Sequence, residues 1–258
     1  MDIHPAAFIH PEAELGEGVK VGPGAVINAG VVIGSGTEIM AHAYIESGTT
    51  LGRDCVVFPS ASLGTDPQDI TYTGEPTALV IGDEVIFREF TTVSRGTGHG
   101  GGVTRVGNKC YFMANSHVGH DCQIGNNVIM VNSAARAGHC IIEDWATVNG
   151  LVAVVQRVRI GTHAFIGAMS KVVKDVPPYL LAQGVDEFKL YGPNVIGLKR
   201  KQFSRESIKA LREAFRLIFR TTRLLEETLK EAEERFPDQP EVKTMISFIR
   251  SSKTGVPR

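Results

Sequence analysis

The chain has 258 residues, 43% of them apolar, with 27 Lys and Arg against 28 Asp and Glu for a net charge of -1. That length fits one large domain or two small ones, and a charge so near zero points to no class of partner by itself. No run of about 20 apolar residues is present to span a bilayer, and the N-terminus lacks a basic-then-apolar signal segment, so a cytoplasmic protein is expected.

From Ile3 to Leu63 every sixth residue is apolar: Ile3, Ile9, Leu15, Val21 and onward. The beat returns at Ile81, Phe87 and Val93 and runs again from Val106 to Val172, with Arg136 as its one break. Four residues after each anchor stands a small or β-branched residue, such as Ala7, Ala13, Val19, Ala25 and Thr37. Side chains alternate along a strand, so both positions face one way, into a narrow tube. Such a hexapeptide repeat predicts a mainly β fold, a parallel β-helix. Glycine is frequent one residue after the anchor (Gly16, Gly22, Gly34), where a tight bend is expected. Cys55, Cys110, Cys122 and Cys140 all fall four residues after an anchor. They are expected to be small buried thiols rather than disulfides or metal ligands.

Two segments leave the beat, 64–80 and 94–105, the second with its glycine cluster Gly98-His99-Gly100-Gly101-Gly102. Both are expected to be loops, and loops ejected from a rigid coil commonly carry function. A charge at an inward anchor would be costly, so a bulge or an outward turn is expected at Arg136. The organisation predicted is a coil over 1–176 and a connector with an α-helical domain over 177–258.

After Asp175-Val176-Pro177-Pro178 the periodicity becomes helical. Ser204 caps a helix reaching about Thr221, with Ile208, Leu211, Phe215, Ile218 and Phe219 as its buried stripe. Further helices are expected over 224–235 and 241–249. Residues 1–197 carry 12 Lys and Arg against 19 Asp and Glu, whereas 198–258 carry 15 against 9. At 100° per residue, Arg205, Lys209, Arg212, Arg216, Arg220 and Arg223 fall within about 80° of one another. A ridge of one sign favours an acidic partner. An acidic protein fits better than nucleic acid, because no aromatic residues are interleaved for stacking.

The densest polar text is Asn115-Ser116-His117-Val118-Gly119-His120-Asp121-Cys122, followed by Ala137-Gly138-His139. If three hexads make one turn, residues 18 apart stack at about the 4.8 Å strand spacing. His120, Gly138 and Gln156 then form one outward column, with Asp121 over His139 in the next. A histidine can take a proton from an alcohol, a neighbouring carboxylate can hold its tautomer, and a bare backbone N–H at Gly138 can meet an oxyanion. The three imidazoles of His117, His120 and His139 could instead hold zinc. His42, His99 and His163 lack such company and are expected to be surface or loop histidines.

The run NSHVGHDC, then AGH, the insertion QDITYTGEPT, the stop DVPPY with AQG, and NVIGLKRKQFSRESI together resemble the UDP-N-acetylglucosamine 3-O-acyltransferases, which open lipid A synthesis. The resemblance covers nearly the whole chain. It implies a left-handed coil, a homotrimer with sites between subunits, acyl carrier protein as donor and a UDP-amino sugar as acceptor, with no metal or other cofactor. It implies His120 as general base, Asp121 as its partner and Gly138 as oxyanion donor. Asp69, His117, His139, Gln156, Asn194 and Arg200 would contact the nucleotide sugar, and the basic ridge would receive the carrier protein. Thr71, Val155 and Ile196 depart from the family, which often has Lys, His and an acidic residue there. The alternatives are a coenzyme A-dependent sugar acetyltransferase and a catalytically weakened nucleotide-sugar-binding homologue.

Overall fold

The structure, a computed structural model, describes residues 2–258. Strands of mostly two residues follow one another around a triangular prism, and each coil strand pairs in parallel with its counterpart one turn on, 18 residues away in uninterrupted turns and 25 or 30 across the inserted segments. Asp2 lies beside Lys20, Ile3 beside Val21 and His117 beside Ala135. Three stacked sheets of 11, 9 and 8 strands make the three faces of a left-handed parallel β-helix. The inward pair of each hexad fills the tube: Val19, Ala25, Ile27, Ile33, Ile39 and Ile45 are buried.

Turning occurs three residues after the anchor rather than one. Asp121, His139 and Arg157 have φ of 58°, 60° and 65°, and the other corners repeat this. The glycines after the anchors serve another purpose. A Cβ at Gly34, for example, would strike the backbone at Gly52 in the turn above.

All four cysteines are buried and free. Their thiols donate to carbonyl oxygens of neighbouring turns, Cys55 to Gly82, Cys110 to Gly125, Cys122 to Ala137 and Cys140 to Val155. Burial pushes the Cys110 thiol up to about 11, so it stays protonated at neutral pH.

Arg136 contradicts the expected bulge or outward turn. Its strand, Ala135–Arg136, keeps unbroken register with His117–Val118 and Ala153–Val154, so the period of two sends the side chain into the tube. Only 1% of it is exposed, and none of its guanidinium nitrogens has a hydrogen-bond partner among the described residues. Burial pushes the group down to about 10, leaving it charged at neutral pH.

Beyond Val172 the hairpin Leu180–Gln183 and Lys189–Pro193 extends one face, an addition the periodicity did not reveal. Four helices follow: α1 (Val195–Arg200), α2 (Arg205–Phe219), α3 (Leu225–Arg235) and α4 (Pro240–Arg250). Ser204 caps α2 by accepting from the Ser207 N–H at 2.9 Å, and the expected apolar stripe of α2 is buried. Among the described residues no helix is long and apolar enough to cross a membrane. The C-terminal tail is clasped to the last turn of the coil by Asp175, which accepts from the hydroxyls of Ser252 at 2.7 Å and Thr254 at 2.6 Å.

Candidate active site

One corner of the prism collects the polar residues. The chain turns there between the face holding His117–Val118 and the face holding Gln123–Ile124, and successive turns bring Gly119–Cys122, Ala137–Cys140 and Val155–Val158 into a column. Both ejected segments leave from this same corner, one between strands Ser62–Thr65 and Ala78–Ile81, the other between Thr92–Ser94 and Val103–Val106. The second is not wholly irregular, because Thr97 caps one turn of 3-10 helix over Gly98–Gly100.

His120 is 5% exposed beneath these segments. Its Nδ1 lies 2.8 Å from Asp121 Oδ2. Asp121 also accepts from the Thr97 N–H at 3.0 Å and the Thr97 hydroxyl at 2.6 Å. Burial alone would raise the Asp121 carboxyl, but the hydrogen bonds from Thr97 and His120 outweigh it and hold it below the usual carboxylate range. An ionised Asp121 places the proton of neutral His120 on Nδ1, which leaves a lone pair on Nε2 for an incoming hydroxyl.

His139 stands edge-on to His120 with centroids 5.0 Å apart, and its Nε2 is 3.9 Å from Asp121 Oδ2. Burial lowers its proton affinity against the pull of Asp121. Gly138 lies against the His120 ring so closely that a Cβ would collide with it. Its amide has no hydrogen-bond partner among the described residues. Asp69 reaches in from the first segment: Oδ1 accepts from the Thr71 N–H at 2.9 Å and hydroxyl at 2.7 Å, and Oδ2 lies 3.9 Å from His120 Nε2. The departure at Thr71 therefore fixes the carboxylate of Asp69.

The donor atoms of His120, Asp121 and His139 lie within 4.8 Å of one another. His117, the third imidazole of the expected zinc set, does not join them. Its Nδ1 is 2.8 Å from Thr92 Oγ1, and burial, then Arg136, lowers its proton affinity.

Other expected residues lie elsewhere on the chain. Gln156 is exposed on the same corner. Asn194 caps α1 and donates to the His163 carbonyl at 3.2 Å, on a different corner of the prism, and Arg200 ends the same helix. One chain does not bring these two to His120. Four of the six basic residues, Arg205, Lys209, Arg212 and Arg216, are exposed on α2. Arg220 and Arg223 correct the expected ridge, because α2 ends at Phe219 and the 100° spacing ends with it. Arg220 donates to the Leu190 carbonyl, and Arg223 pairs with Glu231.

His99 is a half-exposed loop histidine as expected, but the neighbours of His99 and His163 were not foreseen. His163 is half-buried, stacked between Trp145 and Tyr179 with Phe203 against its edge. His99 sits beside Asp69, with Nε2 3.5 Å from Oδ2. Thr97 was missed as well. Counting hexads places both insertions on the His120 corner, since each follows a strand of the same face, but does not say that Thr97 or His99 reaches the site.

Removing the Thr97 hydroxyl takes one of its two partners from Asp121 Oδ2 and leaves His120 Nδ1 as the other. Thr97→Val should lower turnover roughly threefold to tenfold, the scale of one charge-assisted hydrogen bond. Steady-state kinetics check this, and an unchanged kcat would mean that the backbone bond alone suffices.

Two family profiles match the sequence, one described as "Udp N-acetylglucosamine O-acyltransferase; Domain 2" over residues 175–257 and one as "Bacterial transferase hexapeptide (six repeats)" over 2–35 and 104–134. The structure is similar to a UDP-N-acetylglucosamine acyltransferase from Bacteroides fragilis, with 38% identity, a TM-score of 0.96 and 99% of each chain covered. The Francisella novicida enzyme is 36% identical with a TM-score of 0.96, over 99% of this chain and 94% of that one. The Arabidopsis enzyme is 33% identical with a TM-score of 0.87, over 99% and 98%. With the His120 corner in place and identity at this level over the full length, the chain belongs to the UDP-N-acetylglucosamine O-acyltransferase family and is an O-acyltransferase.

Proposed function

We propose that the protein transfers a 3-hydroxyacyl chain from acyl carrier protein to the 3-hydroxyl of UDP-N-acetylglucosamine or a related UDP-amino sugar, the first step of lipid A biosynthesis. The observation that carries this reading is the pair of His120 and ionised Asp121, 2.8 Å apart, with Nε2 beside a Gly138 amide that has no hydrogen-bond partner among the described residues. His120 Nε2 takes the hydroxyl proton, and the sugar oxygen attacks the thioester carbonyl. The Gly138 N–H donates to the oxyanion of the tetrahedral intermediate while Asp121 stabilises the imidazolium. Collapse breaks the carbon–sulfur bond, and the thiolate takes the proton back from His120. No serine or cysteine nucleophile is required.

Asp69, His117, His139 and Gln156 lie on or beside this corner and are assigned to the sugar. Asn194 and Arg200, on another corner, reach the same substrate from the next subunit of a homotrimer. That geometry is why a site between subunits is proposed. The exposed row Arg205, Lys209, Arg212 and Arg216 is assigned to the acidic carrier protein.

The test is a matrix of donors (3-hydroxyacyl carrier proteins, acetyl coenzyme A) against UDP-amino sugars, with the ester identified by mass spectrometry. Turnover with acyl carrier protein is expected. Turnover with acetyl coenzyme A alone, or nucleotide-sugar binding without turnover, would overturn the reading. In the same assay, R212E/R216E should raise KM for the carrier protein roughly tenfold or more with kcat nearly kept, and more so at low salt. An unchanged KM would remove the docking role.

A further inference from the structure

We propose that His99 is a positioning residue for Asp69: the two imidazoles of His99 and His120 share the Asp69 Oδ2 oxygen, and His99 holds it in the resting enzyme so that His120 Nε2 stays open to the acceptor hydroxyl. This rests on the reading of His120 as general base. The geometry is a file of alternating imidazoles and carboxylates. His99 Nε2 is 3.5 Å from Asp69 Oδ2, Asp69 Oδ2 is 3.9 Å from His120 Nε2, and His120 Nδ1 is 2.8 Å from Asp121 Oδ2. Asp69 Oδ1 is occupied by Thr71, so only Oδ2 is left for the two rings.

His99 is placed there by three anchors. Thr97 bonds Asp121 through both its N–H and its hydroxyl. The Gly98 N–H donates to Glu75 Oε1 at 3.0 Å, and that bond leads the contacts that pull the Glu75 carboxyl down to about 2, so the pin holds across the working pH range. Gly100 lies against the Asp121 carboxylate where any Cβ would collide, so the loop comes this close only with glycine. The His99 side chain is itself 51% exposed, open to proton exchange with water.

The charged and titratable surroundings are Asp69, Asp121 and Glu75 on the acidic side and the imidazoles of His120, His139 and His117, with Arg157 acting on His139 and Arg136 on His117. The Thr71 N–H and hydroxyl, then His120 and His99, hold Asp69 below the usual carboxylate range, so it is an anion at neutral pH. Without His99, that anion has His120 as its one imidazole neighbour among the described residues. It then favours the protonated ring, which cannot act as a base.

The experiment is the pH dependence of kcat and kcat/KM for the full-length enzyme with acylated carrier protein and UDP-sugar, in wild type, H99A, H99K, D69N and H99A/D69N. In H99A the acid limb of kcat/KM should move up by roughly half to one pH unit. Activity near pH 6 then falls about threefold to tenfold, with the alkaline plateau and the donor KM unchanged. H99K, a fixed cation, should return the limb to its wild-type position or below, and in the D69N background H99A should leave the limb where D69N alone puts it. A uniform loss at every pH, or an unmoved limb, overturns the proposal. Turnover surviving in H120A would bring down the base reading and this proposal together, whereas an inactive H120A with an unmoved H99A limb overturns this one alone.

Discussion

Replacing His120 with alanine is expected to lower kcat by roughly 10²–10⁴, the range for loss of a general base, with KM for both substrates changed little. The imidazole is buried and held from below by Asp121, and only its Nε2 faces the space that the hydroxyl would enter. Its loss removes an interaction made as the proton moves, which lowers kcat rather than affinity. Stability should barely change, since the ring lies outside the tube and the anchors beneath it stay packed. Steady-state kinetics with a thermal melt check both. Near-normal turnover would sink the base assignment, and a collapsed melt would mean that the ring holds the corner together.

Arg136→Met is expected to stabilise the protein by about 1–4 kcal/mol, the gain seen when buried ionic groups give way to well-packed apolar ones. A charged guanidinium in the tube has lost its water and has gained no hydrogen bond among the described residues. Methionine suits the position, since Met130 already serves as the preceding anchor and is fully buried. Urea midpoints or thermal half-lives report the change, and kcat should stay within about twofold because the residue points away from the His120 corner. A loss of stability would show that the guanidinium has a partner. The thiols of Cys110, Cys122 and Cys140, which lie close enough to act on Arg136, are the groups to replace next.

Much of the fold was legible because a six-residue repeat presents the same environment every turn. One register assigned the anchors, the small partners and the four cysteines to the interior. It also stacked Gly138 against His120, and the structure has that contact down to the missing Cβ. Helices α2, α3 and α4 were legible from their apolar spacing and the Ser204 cap. The hairpin over 180–193 was not, because its strands are stabilised by joining an existing face and by α2, not by a local pattern.

The candidate site divides along the same line. His120 and Asp121 are adjacent in sequence and His139 lies one turn on, so spacing alone united them. Thr97, His99 and Asp69 come from segments without periodicity; the count of hexads gives the corner these segments leave from, and only the folded loops show which of their residues reach His120 and Asp121. The basic ridge fell short for a related reason. A 100° step holds only while the helix lasts, and at Phe219 it stops.

The sequence by itself therefore determined what repeats: the parallel coil, its inward and outward faces, the buried thiols and the column carrying His120, Asp121 and Gly138. Tertiary structure decided what does not repeat. It sent Arg136 inward, because unbroken strand register outranks the desolvation cost of one side chain. It set Asn194 and Arg200 on a different corner from His120. It also delivered His99 to Asp69, a contact made by hydrogen bonds between two loops, for which no local periodicity exists.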